Sequence, residues 1–351
     1  MSNLQIRKLF FPYLWLIFIP VSIVMYLIHA NPVLISVTAI LAIIPVTNLI
    51  AVSTQDLSTK TGTIIGSLMN ATFGNSIEFL ISFFAIRAGL IDLVRASIIG
   101  SIIINLLLLI GLSMIFGGIK YKEQTFNRDS AGVSSSMLLI AVAGLVLPTI
   151  YKAITGKSEV IMSQAVSITL GITYLLSLFF ILVTHRHLFV ARREAREKIT
   201  WGWRLAALIL LLSVGAAGYE SQILVNVLQP VIRTTSLSQD FIGLVIIAII
   251  TNVPEHMAAI RYGMRDNITL SLEIGMNSAI QIALFVAPIL VLIAPLIGGG
   301  LTLAFPLFQM IALFLAVMII NYLSSDGLCN WLEGVQLVAV YIIIAIAFYF
   351  L

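Results

Sequence analysis

Apolar runs of about 20 residues follow one another along almost the whole chain, parted only by short stretches that carry charge, Gly or Pro. A hydrocarbon layer about 30 Å thick takes about that many helical residues per crossing, so the runs read as membrane spans. They fall at 11–29, 32–52, 62–86, 96–117, 131–150, 163–184, 205–228, 239–261, 270–295, 301–323 and 331–351. Of 351 residues, 60% are apolar and only 10% charged, against about a quarter in a soluble domain, which excludes a soluble fold. No length is left for an extramembrane domain. Basic residues open the chain at Met1–Lys8, but no small-residue cleavage site follows before His29, so the first run is kept as a span and not a signal peptide. The single cysteine, Cys329, excludes an internal disulfide and a cysteine metal cluster.

With the N-terminus placed in the cytoplasm, only Arg87, Arg95, Lys152, Lys157 and Arg233 of the 19 Lys and Arg residues fall in outer loops. This asymmetry predicts eleven crossings with the C-terminus outside. The longest basic stretch, 185–204, contains Arg192-Arg193-Glu194-Ala195-Arg196-Glu197-Lys198 and reads as a topology-setting surface helix against anionic headgroups. It does not point to nucleic acid.

Two segments inside these runs repeat each other. Asn75-Ser76-Ile77-Glu78 lies in the third run and Asn252-Val253-Pro254-Glu255 in the eighth, with the glutamates 177 residues apart. Ser101 follows Glu78 by 23 residues and Ser278 follows Glu255 by 23. Asn105 then lies four residues beyond its serine and Gln281 three beyond, which puts an amide and a serine on one helical face in each half. Apart from the first run, the spans form two units of five, and an odd number of crossings makes the second enter from the opposite side. Inverted repeats of this kind mark secondary transporters that bind substrate near the midplane.

A carboxylate inside a span costs a few kcal/mol to insert and persists where it faces a cavity, a partner or a ligand. The donors on offer are all oxygens: Glu78, Glu255, Asn75, Asn252, Asn105, Gln281, Ser101 and Ser278. That set favours a hard cation such as Ca²⁺ over metals that prefer imidazole or sulfur. Pro254 either frees the carbonyl of Ile250 as a further ligand or simply kinks the helix. Glu220 is placed in the outer part of the seventh run and Glu273 near the inner end of the ninth, so two midplane carboxylates give a charge of −2. One Ca²⁺ or two protons neutralise it, and exchange follows if only the neutralised forms switch sides.

These residues resemble the Ca²⁺/H⁺ exchanger branch of the Ca²⁺/cation antiporter superfamily, in a bacterial-type member. Gly74-Asn75-Ser76-Ile77-Glu78-Phe79 is similar to the family's first repeat signature, and Asn252-Val253-Pro254-Glu255-His256 to its second, where a His after the Glu marks the proton-coupled branch. Gly100-Ser101 with Asn105, and Ser278 with Gln281, are similar to its downstream segments. The chain departs from the pattern at Thr251 and Asn277, which stand where Gly is usual, and in having a basic rather than acidic 185–204 connection.

The resemblance implies an all-α polytopic membrane protein of eleven transmembrane helices: an extra N-terminal helix at 1–31, a first five-helix repeat at 32–184, the basic cytoplasmic loop at 185–204 and a second, inverted repeat at 205–351. Glu78 and Glu255 would bind Ca²⁺ or protons in competition, and His256 would take part in proton handling or line the access path. The transported ions are Ca²⁺ and H⁺, no cofactor is implied, and the surroundings are a lipid bilayer, most simply a bacterial cell membrane rather than a vacuolar one. A second copy of the chain is left open as a partner. The neutral Ser101 and Ser278 stand where Na⁺-coupled relatives place further carboxylates, which favours protons. A Na⁺-coupled Ca²⁺ exchanger remains the main alternative. An intramembrane metalloenzyme lacks its motifs here, since no His-Glu-x-x-His occurs, and a passive channel fits the duplicated halves poorly.

Overall fold

The computed structural model describes residues 12–61, 63–185 and 201–351. The start of the first expected span and most of the basic 185–204 stretch lie outside the described residues. A 3₁₀ turn at Pro12–Ile17 leads into α1 (Phe18–Leu27). Then come α2 (Pro32–Lys60), α3 (Thr63–Phe73), α4 (Ser76–Arg87), α5 (Ile91–Gly118), β1 (Glu123–Thr125), α6 (Arg128–Thr155), α7 (Val160–Thr184) and α8 (Trp203–Thr235). The remaining elements are α9 (Gln239–Thr251), α10 (Val253–Gly263), α11 (Ile268–Ile297), α12 (Leu307–Leu323), β2 (Leu328–Asn330) and α13 (Trp331–Tyr349).

Among the described residues, seven helices are long and apolar enough to cross a membrane, or eight if the bent pair α9 and α10 counts as one span. That is a coarser result than the eleven crossings expected. Leu14–Leu27 and α12 are apolar but shorter, and the expected run 62–86 is divided into α3 and α4. Gly74 and Asn75 supply the division, since neither residue type sustains a helix interior well. The all-α expectation also needs one amendment. β1 pairs antiparallel with β2, Gln124 opposite Cys329, and a positive-φ Gly327 turns the chain so that its carbonyl accepts from Phe126 N–H at 3.0 Å. Burial and the charges of Glu333, Asp326 and Asp266 push the Cys329 thiol up to about 12, so it stays protonated as a packing group.

The chain forms two compact units, Met1–Ala88 with Lys198–Ser238, and Gly89–Glu197 with Gln239–Leu351. In the first, α8 lies along α2 and also packs on α4 and α1. Asn31 caps α2 by accepting from Val33 N–H at 2.9 Å, with Pro32 at the first helical position. In the second, α5 crosses α9 where each helix presents a glycine: a Cβ on Gly100 would collide with the backbone of Leu244, and one on Gly243 would lie 2.7 Å from the carbonyl of Leu93. Small residues here let two backbones approach closely, as helices in lipid require. α13 begins with a capping box between Asn330 and Glu333, and α6 is capped by Asn127.

Candidate functional site

In the first unit, the repeat motif coincides with a helix start. Asn75 ends the break with φ −107° and ψ 28°, outside the helical region, and α4 begins at Ser76. Glu78 is therefore the third residue of α4, in the turn whose unpaired N–H groups favour negative charge by about 0.3–1 kcal/mol. Asn75 and Glu78 are both buried and both engaged in polar contacts.

The second unit repeats this arrangement locally. Asn252 has φ −100° and ψ 11°, α10 begins at Val253, and Glu255 again occupies the third helical position. The Asn-x-x-Glu spacing is thus the spacing from a helix cap to its first turn. Pro254 takes the second position of α10, where its missing N–H has no helical partner to lose, and the axis turns by 59° between α9 and α10. The proline starts a helix and does not sit inside one.

Four of the sequence-predicted residues come together within this second unit. Asn105 Nδ2 donates to Asn252 Oδ1 at 2.7 Å and to Ser278 Oγ at 2.9 Å. Asn252 Nδ2 in turn donates to the carbonyl of Ala248 at 2.9 Å, to Thr251 Oγ1 at 3.1 Å and to Ser101 Oγ at 3.3 Å. Asn105, Asn252 and Ser101 have no exposed surface, and Ser278 is buried. Ser101 and Asn105, four residues apart on α5, both reach Asn252. Thr251, which the sequence singled out only as a departure from Gly, accepts from the same amide nitrogen.

Among the buried side-chain atoms of this unit that lack a hydrogen-bond partner are Asn105 Oδ1, Glu255 Oε2 and His256 Nε2. His256 Nδ1 lies 2.7 Å from the carbonyl of Asn252, which can only accept, so Nδ1 carries a proton and donates it there. Buried polar atoms left in this way call for an ion, a proton or a water. Among the described residues, no three His, Cys, Asp or Glu side chains could hold a metal together, so a cation here would be served by amide, hydroxyl and carboxylate oxygens. Gln281 is half-buried and is itself engaged by a neighbouring group. It immediately precedes a π-helical stretch at Ile282–Val286, and Asn105 lies inside another at Ile104–Leu109, a distortion common at functional sites.

The sequence profile of the sodium/calcium exchanger protein family matches residues 31–188 and 205–350. The chain belongs to that family. It is 38% identical to a Ca²⁺/H⁺ antiporter of Aphanothece halophytica over 357 aligned positions, covering 95% of each chain. It is 36% identical to the Ca²⁺/H⁺ antiporter ChaA of Bacillus subtilis, covering 95% of this chain and 97% of that one. The solved structure of native YfkE superposes with a TM-score of 0.85 at 32% identity, over 97% of this family member and all of YfkE.

Sequence reasoning placed Glu220 but found no partner for it. In the first unit its two carboxylate oxygens each lie 2.7 Å from Ser22 Oγ on α1, with both residues fully buried. The partners are 198 positions apart, and no local spacing signals such a pair.

Proposed function

We propose that this chain is a secondary antiporter that exports Ca²⁺ from the cytosol in exchange for H⁺ by alternating access, and not an enzyme. Glu78 and Glu255 are the carboxylates for which Ca²⁺ and protons compete. The observation that carries the reading is the pair of Asn-x-x-Glu motifs, each starting a helix at a break in an apolar span, with Glu255 Oε2 closed off and unpartnered. A carboxylate kept in such a place is held for a ligand that discharges it. Antiporter relatives at 36–38% identity over nearly the full length support Ca²⁺ and H⁺ as the exchanged ions.

Two matched segments of one family profile, 31–188 and 205–350, support the reading of two repeats after an extra N-terminal helix. Inverted repeats, eleven crossings, a cytoplasmic N-terminus and a bacterial cell membrane complete the proposal. Asn75, Asn252, Ser101, Asn105, Ser278 and Gln281 supply further oxygens for Ca²⁺ or hold those that do, and His256 handles protons beside Glu255.

The test is ⁴⁵Ca²⁺ uptake into membrane vesicles under an imposed pH gradient, with a protonophore as control. Uptake that follows the pH gradient and collapses with the protonophore supports the reading. Uptake that follows a Na⁺ gradient instead overturns proton coupling.

A further inference from the structure

Glu273 belongs to neither repeat signature, yet it is buried on α11 and accepts a hydrogen bond from Ser130 Oγ of α6 at 3.0 Å. Beside it lies a cavity of about 10 Å³, room for one water or one bare cation, lined by Ser130, Ser134, Thr269 and Glu273 with Phe126 and Met276. Among the described residues, no basic side chain lines it. A carboxylate with three hydroxyls around a void of this size offers the oxygen donors that a hard cation takes.

The same helix carries this chemistry onward. Glu273, Asn277 and Gln281 follow at intervals of four residues, so they form one stripe rising about 6 Å per step. Asn277 and Gln281 are half-buried, while the neighbouring Leu272, Met276, Ala279 and Ile280 are buried. Moving back by the repeat offset of 177 residues gives Ala96, Gly100 and Ile104 on α5. That stripe is apolar: Ala96 and Ile104 have no exposed surface, and Gly100 serves the close crossing with α9. One half therefore carries a polar ladder where the other carries packing.

We propose that the Glu273 cavity is a subsite for a divalent cation on the cytoplasmic approach, and that Asn277 and Gln281 lead from it toward the level of Ser278. The inference rests on the exchanger reading and its orientation above, and it predicts an asymmetry the duplicated core does not have. Glu273 is a positioning residue for incoming Ca²⁺, and the discharge step stays with Glu78 and Glu255.

The experiment measures the half-saturating Ca²⁺ concentration in everted and right-side-out vesicles of the full chain. Glu273→Gln should raise it roughly five- to tenfold when Ca²⁺ meets the cytoplasmic face and less than about twofold at the other face, with Glu273→Asp restoring most of the loss. Asn277→Leu should give a shift of about two- to threefold on the same side only, and it carries the test if Glu273→Gln fails to reach the membrane. Equal shifts on both faces, a shift on the outer face alone, or none in vesicles that still exchange would overturn the subsite while leaving the exchanger intact. Wild-type vesicles without proton-coupled Ca²⁺ movement would overturn both.

Discussion

The break before α4 and the break before α10 reach the same local geometry by different means. At the first, Gly74 weakens the helix and Asn75 ends the gap. At the second, Asn252 alone separates two helices, Pro254 fixes the new start, and a π-helical stretch at Ile242–Ile247 precedes the break. Both end with an asparagine outside the helical region and a glutamate three residues later, in the first turn of a new helix. The cap and the acid are what the two regions share, and the device that breaks the helix is free to differ. A chemical requirement on the carboxylate explains that pattern better than a requirement on the kink.

The hardest way to break this equivalence is to neutralise one acid at a time. Glu78→Gln and Glu255→Gln should each lower ⁴⁵Ca²⁺-driven proton movement by at least about a hundredfold, since neither carboxylate can be discharged by the other's ligand. Near-normal exchange by either variant would end the shared-role reading. Asn252 tests the difference between the regions, because it also ties α5 to α11 through Asn105, Ser101 and Ser278. Asn252→Leu removes that centre and leaves buried partners unpaired, at a cost of about 2–4 kcal/mol in thermal or denaturant unfolding. Pro254→Ala should be milder: a helix start tolerates alanine, so exchange should fall no more than about threefold, and a larger loss would show that the proline does more than start α10.

The smallest effect belongs to a carboxylate that is already satisfied. Glu159, in the connection between α6 and α7, accepts from Lys152 Nζ at 2.9 Å and from Thr302 Oγ1 at 3.0 Å. Burial raises its pKa, but the hydrogen bond from Lys152, its own backbone N–H, Thr302 and the lysine charge together bring it below the ordinary 4.5. Its contribution to stability is therefore present above the unfolded value and lost as pH falls through the lower folded one. Glu159→Gln should flatten the acid limb of a stability–pH curve and leave exchange at neutral pH within about twofold. A large loss of exchange in this variant would blur the contrast between structural and transported-ion carboxylates.

Much of the candidate site was legible in the sequence because it is written in short spacings. Asn-x-x-Glu is a cap and its first turn, and Ser101 with Asn105 is one step along a helical face. What spacing did not reveal is the destination of these groups. Ser101 and Asn105 meet on Asn252, about 150 positions away, and Asn105 also reaches Ser278, 173 away. The pair Ser22–Glu220 was equally invisible. Thr251 and Asn277 registered only as departures from glycine, because their use depends on which helix lies opposite.

By itself the sequence determined that this protein is built of membrane helices and that two helix breakers, Gly74 and Pro254, sit beside the two glutamates. Backbone groups in hydrocarbon must be satisfied within their own segment, so those outcomes follow from local composition. Tertiary structure decided which polar side chains satisfy one another and which acceptors are left waiting. Those pairings join helices distant in the chain, and only their packing fixes whether a buried oxygen finds a donor or keeps a place for an ion.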